Sequence, residues 1–248
     1  MNNRRSFIVG IKSTRLSSKE KIFLKKYKPW GVILFTRNIK SIEQTFKLTS
    51  SIRKIFNDKK YPILIDQEGG RVNRLRNIIT FDNLTSEFFG NKYKKNINEF
   101  NFFYKLFIDK TSYLLKSIGV NINTSPVLDL RLKGASKIIG DRSFSKDPKI
   151  VSKIGNYCIR YFHENGIGTI IKHIPGHGRA EVDSHILLPV VDTPRDELHQ
   201  TDFAPFAKLA DMPMAMTAHV VYRAVDAEHP ATSSATVIKD IIRDEIGF

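Results

Sequence analysis

Residues 168–186 read G-T-I-I-K-H-I-P-G-H-G-R-A-E-V-D-S-H-I, a short apolar run followed by a polar loop. The run from Gly168 to Ile171 has the length and composition of a buried strand. Pro175, Gly176 and Gly178 then disfavour a regular helix. The polar side chains after the run therefore stand where a strand ends, which is the end that carries the chemistry in α/β sheets and barrels.

Five of the ionisable side chains in the polar loop are Lys172, His173, His177, Asp183 and His185. Asp183 and His185 are two residues apart, so on an extended backbone their side chains project to the same side and can form a hydrogen bond. A carboxylate beside an imidazole fixes the ring tautomer and favours its protonated form. This pair is therefore predicted to act as a general acid and base.

Two other interpretations of the loop remain open. Histidine and aspartate in a glycine-containing loop are often solvated turn residues. Zinc is the second alternative, which would make the protein a metal-dependent hydrolase; the plausible ligands are His173, His177, Asp183 and His185. The spacing is not the helical H-E-x-x-H pattern, however, and the only thiol, Cys158, falls in a helical pattern. We therefore expect neither a metal nor another cofactor.

Short apolar runs that end in polar residues recur along the chain. Six of them are predicted to be buried parallel strands: residues 7–10, 32–35, 63–65, 120–122, 169–171 and 214–216. Capping serine, Asp-Pro and glycine signals predict helices between them, at residues 41–55, about 101–119 and 147–166. A further helical stretch is expected from about Thr236. The alternation of strand and helix predicts an α/β fold of the TIM (β/α)8-barrel type.

A doubly wound sheet is the alternative fold. It would need a glycine-rich phosphate turn after the first strand, and Gly10-Ile11-Lys12-Ser13 lacks that pattern. Gly69-Gly70 does follow a strand, but Glu68 beside it would repel a phosphate.

Composition limits the class of protein. With 248 residues, of which 41% are hydrophobic and 26% charged, one globular domain is expected. No apolar run approaches the roughly 20 residues needed to cross a bilayer, and the N terminus lacks the apolar core of a signal peptide. A single cysteine cannot form an internal disulfide. We therefore expect a cytoplasmic protein without a membrane partner.

The formal net charge of +15 suggests nucleic-acid binding, but its distribution argues against it. Residues 1–172 carry 34 Lys and Arg against 13 Asp and Glu, whereas residues 173–248 carry 6 against 12. The basic residues are scattered over polar faces of helical stretches, without the interleaved aromatic residues of an RNA-binding sheet. We interpret them as solvated surface and expect no nucleic acid as a partner.

Six motifs, in order, carry a resemblance to a known family. They are G-V-I-L-F-T-R-N from Gly31, I-D-Q-E-G-G-R-V-N-R from Ile65, S-P-V-L-D-L from Ser125, I-G-D-R-S-F from Ile139, K-H-I-P-G-H-G with D-S-H from Lys172, and M-T-A-H-V-V-Y from Met216. The chain resembles the bacterial β-N-acetylhexosaminidases of glycoside hydrolase family 3. The resemblance implies a TIM barrel that acts as a retaining exo-β-N-acetylglucosaminidase on peptidoglycan-derived muropeptides in cell-wall recycling. It also implies no cofactor and a monomer when complete.

The resemblance assigns roles to residues of this chain. His185 would be the acid/base and Asp183 its partner. The N-acetylglucosamine subsite would be lined by Asp66, Arg74, Arg142, Lys172 and His173. A carboxylate there can accept hydrogen bonds from hydroxyls, while the basic side chains can donate to hydroxyls and to the acetamido oxygen.

Other functions for some of these residues remain open. Asp66 could instead cap a helix, and Arg142 could form a surface ion pair with Asp141 or Asp147. Glu68 and His177 are expected to be structural residues that hold loop backbones. His219, at the end of the sixth strand, is expected at the barrel mouth without an assigned role.

The last expectation concerns completeness. Six strands can be counted, whereas a barrel of this type has eight. In the family the nucleophile is an aspartate at the end of the seventh strand, and no Asp or Glu up to Phe248 fits that motif. Residues 1–248 are therefore expected to be a single catalytic barrel domain, incomplete at its C terminus after about six β/α units. Alone it is expected to keep most of the sugar subsite but to show no turnover; an inactive carbohydrate-binding fragment is the non-enzyme alternative. If residues 1–248 were active, another carboxylate would have to be the nucleophile, with Asp66 or Asp129 the first to test.

Overall fold

The computed structural model describes residues 4–132, 137–182 and 187–248. Its strands are β1 Arg5–Gly10, β2 Pro29–Leu34, β3 Ile63–Ile65, β4 Ile122–Asn123, β5 Gly168–Thr169, β6 Ile171–Ile174, β7 Val190–Val191, β8 Ala215–Thr217 and β9 Val221–Tyr222. Its helices are α1 Ser18–Tyr27, α2 Ile42–Phe56, α3 Ser86–Lys95, α4 Ile97–Ser117, α5 Pro148–Glu164, α6 Arg195–Gln200 and α7 Ala204–Ala207, followed by a π-helix, Val237–Glu245.

The strands form a parallel ladder. Strands β1 to β5 pair in chain order, and β6 pairs with β8. Backbone hydrogen bonds link these two groups of strands, because the Ile170 N–H donates to the Asn123 carbonyl at 3.1 Å and the Lys172 N–H donates to the Pro126 carbonyl at 3.2 Å. The six predicted strand positions and the TIM-barrel-type α/β fold are thus confirmed. Within the three described ranges no pairing joins β8 to β1.

Two details of the sheet differ from the prediction. The fifth predicted strand is divided at Ile170, because β5 pairs with β4 while β6 pairs with β8 on the other side. The second detail is a short parallel pair, β7 with β9, that the sequence did not predict. Strands β7 and β9 have two residues each, which is too short for a periodic pattern to be recognised in the sequence.

Helix caps explain where two predicted helices begin and end. The Ser41 hydroxyl accepts a hydrogen bond from the backbone N–H of Gln44 at the start of α2. The Asp147 carboxylate accepts from the Lys149 N–H at the start of α5, and Gly166, with a φ of 70°, follows its end.

Two other predicted helices differ in detail. The helix predicted from about Asn101 begins four residues earlier, at Ile97, because the Asn96 side chain caps it. The helical stretch expected near the C terminus is a π-helix, in which the Ile246 N–H donates to the Ile241 carbonyl five residues back.

The core lies between the sheet and the helices that cover it. Strand β3 is buried along its whole length. Helix α2 buries Leu48 and Ile52 against the sheet, and α5 buries Val151 and Ile154. A strand that is buried on both faces gives a continuous apolar run in the sequence. This packing fixes the strand ends that carry the polar residues described below. No helix in the described ranges is long and apolar enough to span a membrane.

Candidate active site

Three polar side chains meet where β3, β4 and β6 reach one edge of the sheet. Asp66 directly follows β3, Thr124 directly follows β4, and Lys172 lies within β6. The parallel register sets Ile65 opposite Asn123, so the residues that follow reach the same edge. The Thr124 hydroxyl donates to Asp66 Oδ1, and Lys172 Nζ lies 3.0 Å from that oxygen. The pairing of strands therefore builds a cluster that no local segment contains.

Lys172 is buried, with 1% of its surface exposed. Its Nζ has three acceptors within reach: Asp66 Oδ1 at 3.0 Å, Thr124 Oγ1 at 3.2 Å and Glu68 Oε1 at 2.6 Å. An ammonium group has three protons, so all of them have partners. Two carboxylates compensate the buried charge, whose desolvation alone would cost several kcal/mol. A bound ligand must therefore share these protons with the partners already present.

Glu68 pairs with a second cation, Arg142. The guanidinium donates two hydrogen bonds of 2.8 Å to the two carboxylate oxygens, and a third of 3.1 Å to the Ile138 carbonyl. Burial alone would raise the pKa of Glu68, but the charges of Lys172 and Arg142 hold it well below its usual value. Glu68 therefore stays ionised and fixes the position of both cations.

The surface ion pair considered for Arg142 is wrong. Asp141 pairs with Arg71 at 3.0 Å, and Asp147 caps α5. The Arg142 side chain instead faces inward to Glu68 and is 12% exposed.

The backbone after β3 is held by Gln67 rather than by Glu68. Gln67 exchanges two hydrogen bonds with Asn123, and its Oε1 accepts from the backbone N–H groups of Arg74 and Leu75 at 2.9 and 3.1 Å. The interpretation of Glu68 as a backbone support is therefore wrong. Gly69, at a φ of 98°, has no room for a side chain, because a Cβ would lie 2.3 Å from the Leu84 carbonyl oxygen.

Asp66 is partly open to solvent, with a side-chain exposure of 16%. Besides Thr124 and Lys172, it pairs with Arg74, whose Nη2 lies 3.5 Å from Oδ2. Burial alone would raise the pKa of Asp66, but the charge of Lys172 and the hydrogen bonds of Thr124 and Lys172 lower it. No described helix begins at Asp66, so the helix-cap interpretation is wrong. The partners of this carboxylate are side chains from other strands and loops.

His173 is held by Asp129, a buried aspartate from the loop after β4. His173 Nδ1 lies 2.6 Å from Asp129 Oδ2. Asp129 Oδ1 accepts hydrogen bonds from the backbone N–H groups of His177 at 2.7 Å and His173 at 3.3 Å. This contact uses the backbone of His177, so the expectation that His177 supports a loop backbone stays a prediction. One carboxylate therefore organises the polar loop that follows β6.

Asp183 and His185, the predicted acid/base pair, lie outside the residues that the structure describes. The chain before them is anchored at Arg179, whose Nε donates to Asp202 Oδ2 at 2.6 Å and whose Nη2 lies 2.8 Å from Glu197 Oε1. The chain after them joins β7, where the Pro189 carbonyl accepts from the Val221 N–H at 2.9 Å. The catalytic assignment of the pair stays a prediction.

The zinc alternative also involves Asp183 and His185, so it stays untested. The rings of His173 and His177 have centroids 5.6 Å apart. Over the described part of the chain, no group of three or more His, Cys, Asp or Glu is arranged to hold a metal ion.

His219 is exposed, with its Nδ1 3.4 Å from the Thr232 hydroxyl.

The structure brings together the five residues predicted for the subsite, and it adds three that the sequence reasoning did not place there: Glu68, Thr124 and Asp129. Asp129 interrupts the apolar run V-L-D-L, and a carboxylate in such a run needs buried partners. That pattern could have identified it. Thr124 and Glu68 carry no comparable signal.

The comparisons with known proteins agree with this geometry. Residues 7–248 match the family described as the Glycosyl hydrolase family 3 N terminal domain. A relative named beta-hexosaminidase, from Alkalilimnicola ehrlichii, is 36% identical over 250 residues; the match covers 97% of this chain and 69% of the relative.

Two solved structures have the same fold. Native NagZ from Neisseria gonorrhoeae superposes with a TM-score of 0.89 at 32% identity, covering 99% of this chain and 71% of that one. NagZ from Neisseria gonorrhoeae in complex with N-trifluoroacetyl-D-glucosamine gives a TM-score of 0.90 at 33% identity, covering 99% and 72%. Since a family match extends over nearly the whole chain and a relative exceeds 30% identity, the chain belongs to glycosyl hydrolase family 3 and corresponds to its N-terminal domain.

Proposed function

We propose that the protein is a retaining exo-β-N-acetylglucosaminidase that removes terminal β-linked N-acetylglucosamine. The observation that carries the proposal is the cluster of Asp66, Glu68, Arg142 and Lys172 at the strand ends, with His173 beside it. The names of the beta-hexosaminidase relative and of the sugar-bound NagZ structure support the substrate class.

The exposure of the site residues suggests which of them touch the sugar. Asp66, Arg74, Arg142 and His173 have side-chain exposures of 16%, 27%, 12% and 16%, whereas Lys172 has 2%. In the proposal, Asp66 accepts hydrogen bonds from sugar hydroxyls, and Arg142 and Arg74 donate to sugar oxygens. Lys172 keeps Asp66 and Glu68 ionised and in place.

The proposed reaction has two steps. His185, with Asp183 beside it, donates a proton to the glycosidic oxygen as its bond to the anomeric carbon breaks, and a carboxylate bonds to that carbon. His185 then takes a proton from water, which displaces the carboxylate. After the two steps His185 has regained its proton and the carboxylate is free again. Two displacements at the anomeric carbon retain its configuration.

The family resemblance places the nucleophile on the seventh strand of the barrel, and the proposal assigns that role to no Asp or Glu of residues 1–248. Asp129 is a poor alternative, because its side chain is fully buried and accepts three hydrogen bonds. Asp66 is the more accessible carboxylate, but a cation and a hydroxyl share one of its oxygens. Both therefore serve better as fixed acceptors than as attacking groups.

The finer parts of the proposal rest on the family resemblance. They are a substrate of peptidoglycan-derived muropeptides, a role in cell-wall recycling, a cytoplasmic location, a monomeric state and the assignment of residues 1–248 to one catalytic domain. The charge distribution supports the absence of a nucleic-acid partner.

Turnover of aryl glycosides tests the proposed function. Residues 1–248 and a chimaera that continues into the C-terminal part of the Alkalilimnicola relative are assayed with 4-nitrophenyl β-N-acetylglucosaminide and 4-nitrophenyl β-glucoside. We expect the chimaera to prefer the N-acetylated substrate by about a hundredfold or more, with the β-configured product formed first. Residues 1–248 alone are expected to give no turnover. Equal rates on both glycosides, or turnover that needs stoichiometric zinc, would contradict the proposal.

A further inference from the structure

Asp129 and His173 form a carboxylate–imidazole pair separate from the one predicted at positions 183 and 185. The two oxygens of Asp129 have different tasks. Oδ1 accepts from the backbone N–H groups of His177 and His173, at 2.7 and 3.3 Å, and Oδ2 faces His173 Nδ1 at 2.6 Å. The backbone donors therefore orient the carboxylate, and the carboxylate in turn orients the ring.

The protonation state of this pair follows from its surroundings. The Asp129 side chain is fully buried, which by itself would raise the pKa of its carboxyl group, but its interaction with His173 and the backbone hydrogen bond from His177 hold that pKa below its usual value. An ionised carboxylate can only accept hydrogen bonds. The proton between the two groups therefore belongs to His173 Nδ1.

The edge of the His173 ring that carries Nε2 faces away from Asp129. The side chain is 16% exposed, and since the Nδ1 edge lies against a carboxylate with no exposure, the accessible part is on the opposite side. A neutral ring with Nδ1 protonated presents a lone pair at Nε2.

We propose that Asp129 is a positioning residue that holds His173 in its Nδ1–H tautomer, so that Nε2 accepts a hydrogen bond from a hydroxyl of the bound sugar. This role differs from the donor role that the sequence suggested for His173. The acceptor role rests on the proposed function, whereas the tautomer does not. Asp129 thus sets the polarity of one contact in the subsite without touching the ligand.

The variant Asp129→Asn tests this proposal directly, because the contacts of the two Asp129 oxygens predict the orientation of the new side-chain amide. The carbonyl oxygen must take the position of Oδ1, where two backbone N–H groups need an acceptor. The amide N–H₂ then faces His173 Nδ1, which has to become the acceptor. The ring proton moves to Nε2, so the exposed edge changes from acceptor to donor.

The tautomer is read from the ¹⁵N resonances of the histidine rings at about pH 8, above the ordinary histidine pKa. His173→Gln assigns the signals. In the unsubstituted protein we expect protonated Nδ1 and unprotonated Nε2, and in Asp129→Asn the reverse. Asp202→Asn is the matched control, since Asp202 is also buried beside the same loop but pairs with Arg179. It should leave the His173 tautomer unchanged.

Sugar binding is followed in the same proteins by ¹⁹F NMR with N-trifluoroacetyl-D-glucosamine. We expect Asp129→Asn to weaken binding by about tenfold or more, because His173 Nε2–H would then face a sugar hydroxyl as a second hydrogen-bond donor and the bond would be lost. An Nε2–H or doubly protonated His173 in the unsubstituted protein would overturn the proposal, and this measurement requires no variant of Asp129. A reversed tautomer with unchanged affinity would remove the acceptor role. Failure of the unsubstituted protein to bind the sugar would count against the proposed function instead.

Discussion

The Glu68 carboxylate meets the Arg142 guanidinium through two parallel hydrogen bonds of 2.8 Å, although the residues are 74 positions apart. The same carboxylate lies 2.6 Å from the buried ammonium of Lys172. A bidentate pair of this kind combines charge with a fixed geometry. Glu68 therefore holds two basic residues of the proposed subsite, Arg142 and Lys172, in place.

Removing the Glu68 charge should destabilise the fold. In Glu68→Gln, two buried cations lose a shared counter-ion, so we expect the free energy of unfolding to fall by about 3–5 kcal/mol. Urea denaturation followed by circular dichroism measures the change. Glu43→Gln is the control, because Glu43 pairs with Lys47 on an exposed helix face and should give no measurable change. Similar behaviour of the two variants would show that Glu68 has no central role.

The pH dependence of stability should contain a contribution from Glu68. Its folded-state pKa is depressed, so the ionised group stabilises the fold above its unfolded value of about 4.3, and the contribution is lost as the pH falls towards the folded value. Melting temperatures between pH 7 and pH 3 should therefore fall less steeply below about pH 4.5 in Glu68→Gln than in the unsubstituted protein. Parallel curves would mean that Glu68 titrates normally.

Arg142 should need its forked geometry as well as its charge. Arg142→Lys keeps the charge but cannot form two parallel bonds to Glu68, so we expect binding of N-acetylglucosamine to weaken by about 1–3 kcal/mol. Isothermal titration calorimetry measures it. The control is Arg71→Lys, since Arg71 pairs with Asp141 on the more exposed side of the same segment. Unchanged affinity in Arg142→Lys would place Arg142 outside the subsite.

The acid role proposed for His185 predicts a dependence on the leaving group. A phenolate of low basicity needs little protonation to depart, so His185→Ala in the catalytically active chimaera should slow natural substrates far more than activated aryl glycosides. Asp183→Asn should reproduce part of this effect, by lowering the imidazole pKa and loosening its orientation. Turnover numbers on the two substrate types measure it. Equal losses on both would assign His185 another role.

The caps of α2 and α5 show what could be predicted locally. Ser41 and Asp147 bond to backbone groups two or three residues away, so the bond and its sequence signal occupy the same short window. The start of α4 was missed although Asn96 caps it locally, because Asn98 and Asn101 offer the same kind of capping side chain within five residues.

The sequence by itself determined the strand positions, the strand–helix alternation and the family, because apolar runs, caps and ordered motifs are properties of neighbouring residues. Through the resemblance it also predicted the five residues of the proposed subsite. Only the tertiary structure decided which charges meet: Lys172 with Asp66 across 106 positions, and Asp129 with His173 across 44. Such partners are chosen by distance in space, which the parallel register sets and the sequence separation does not encode.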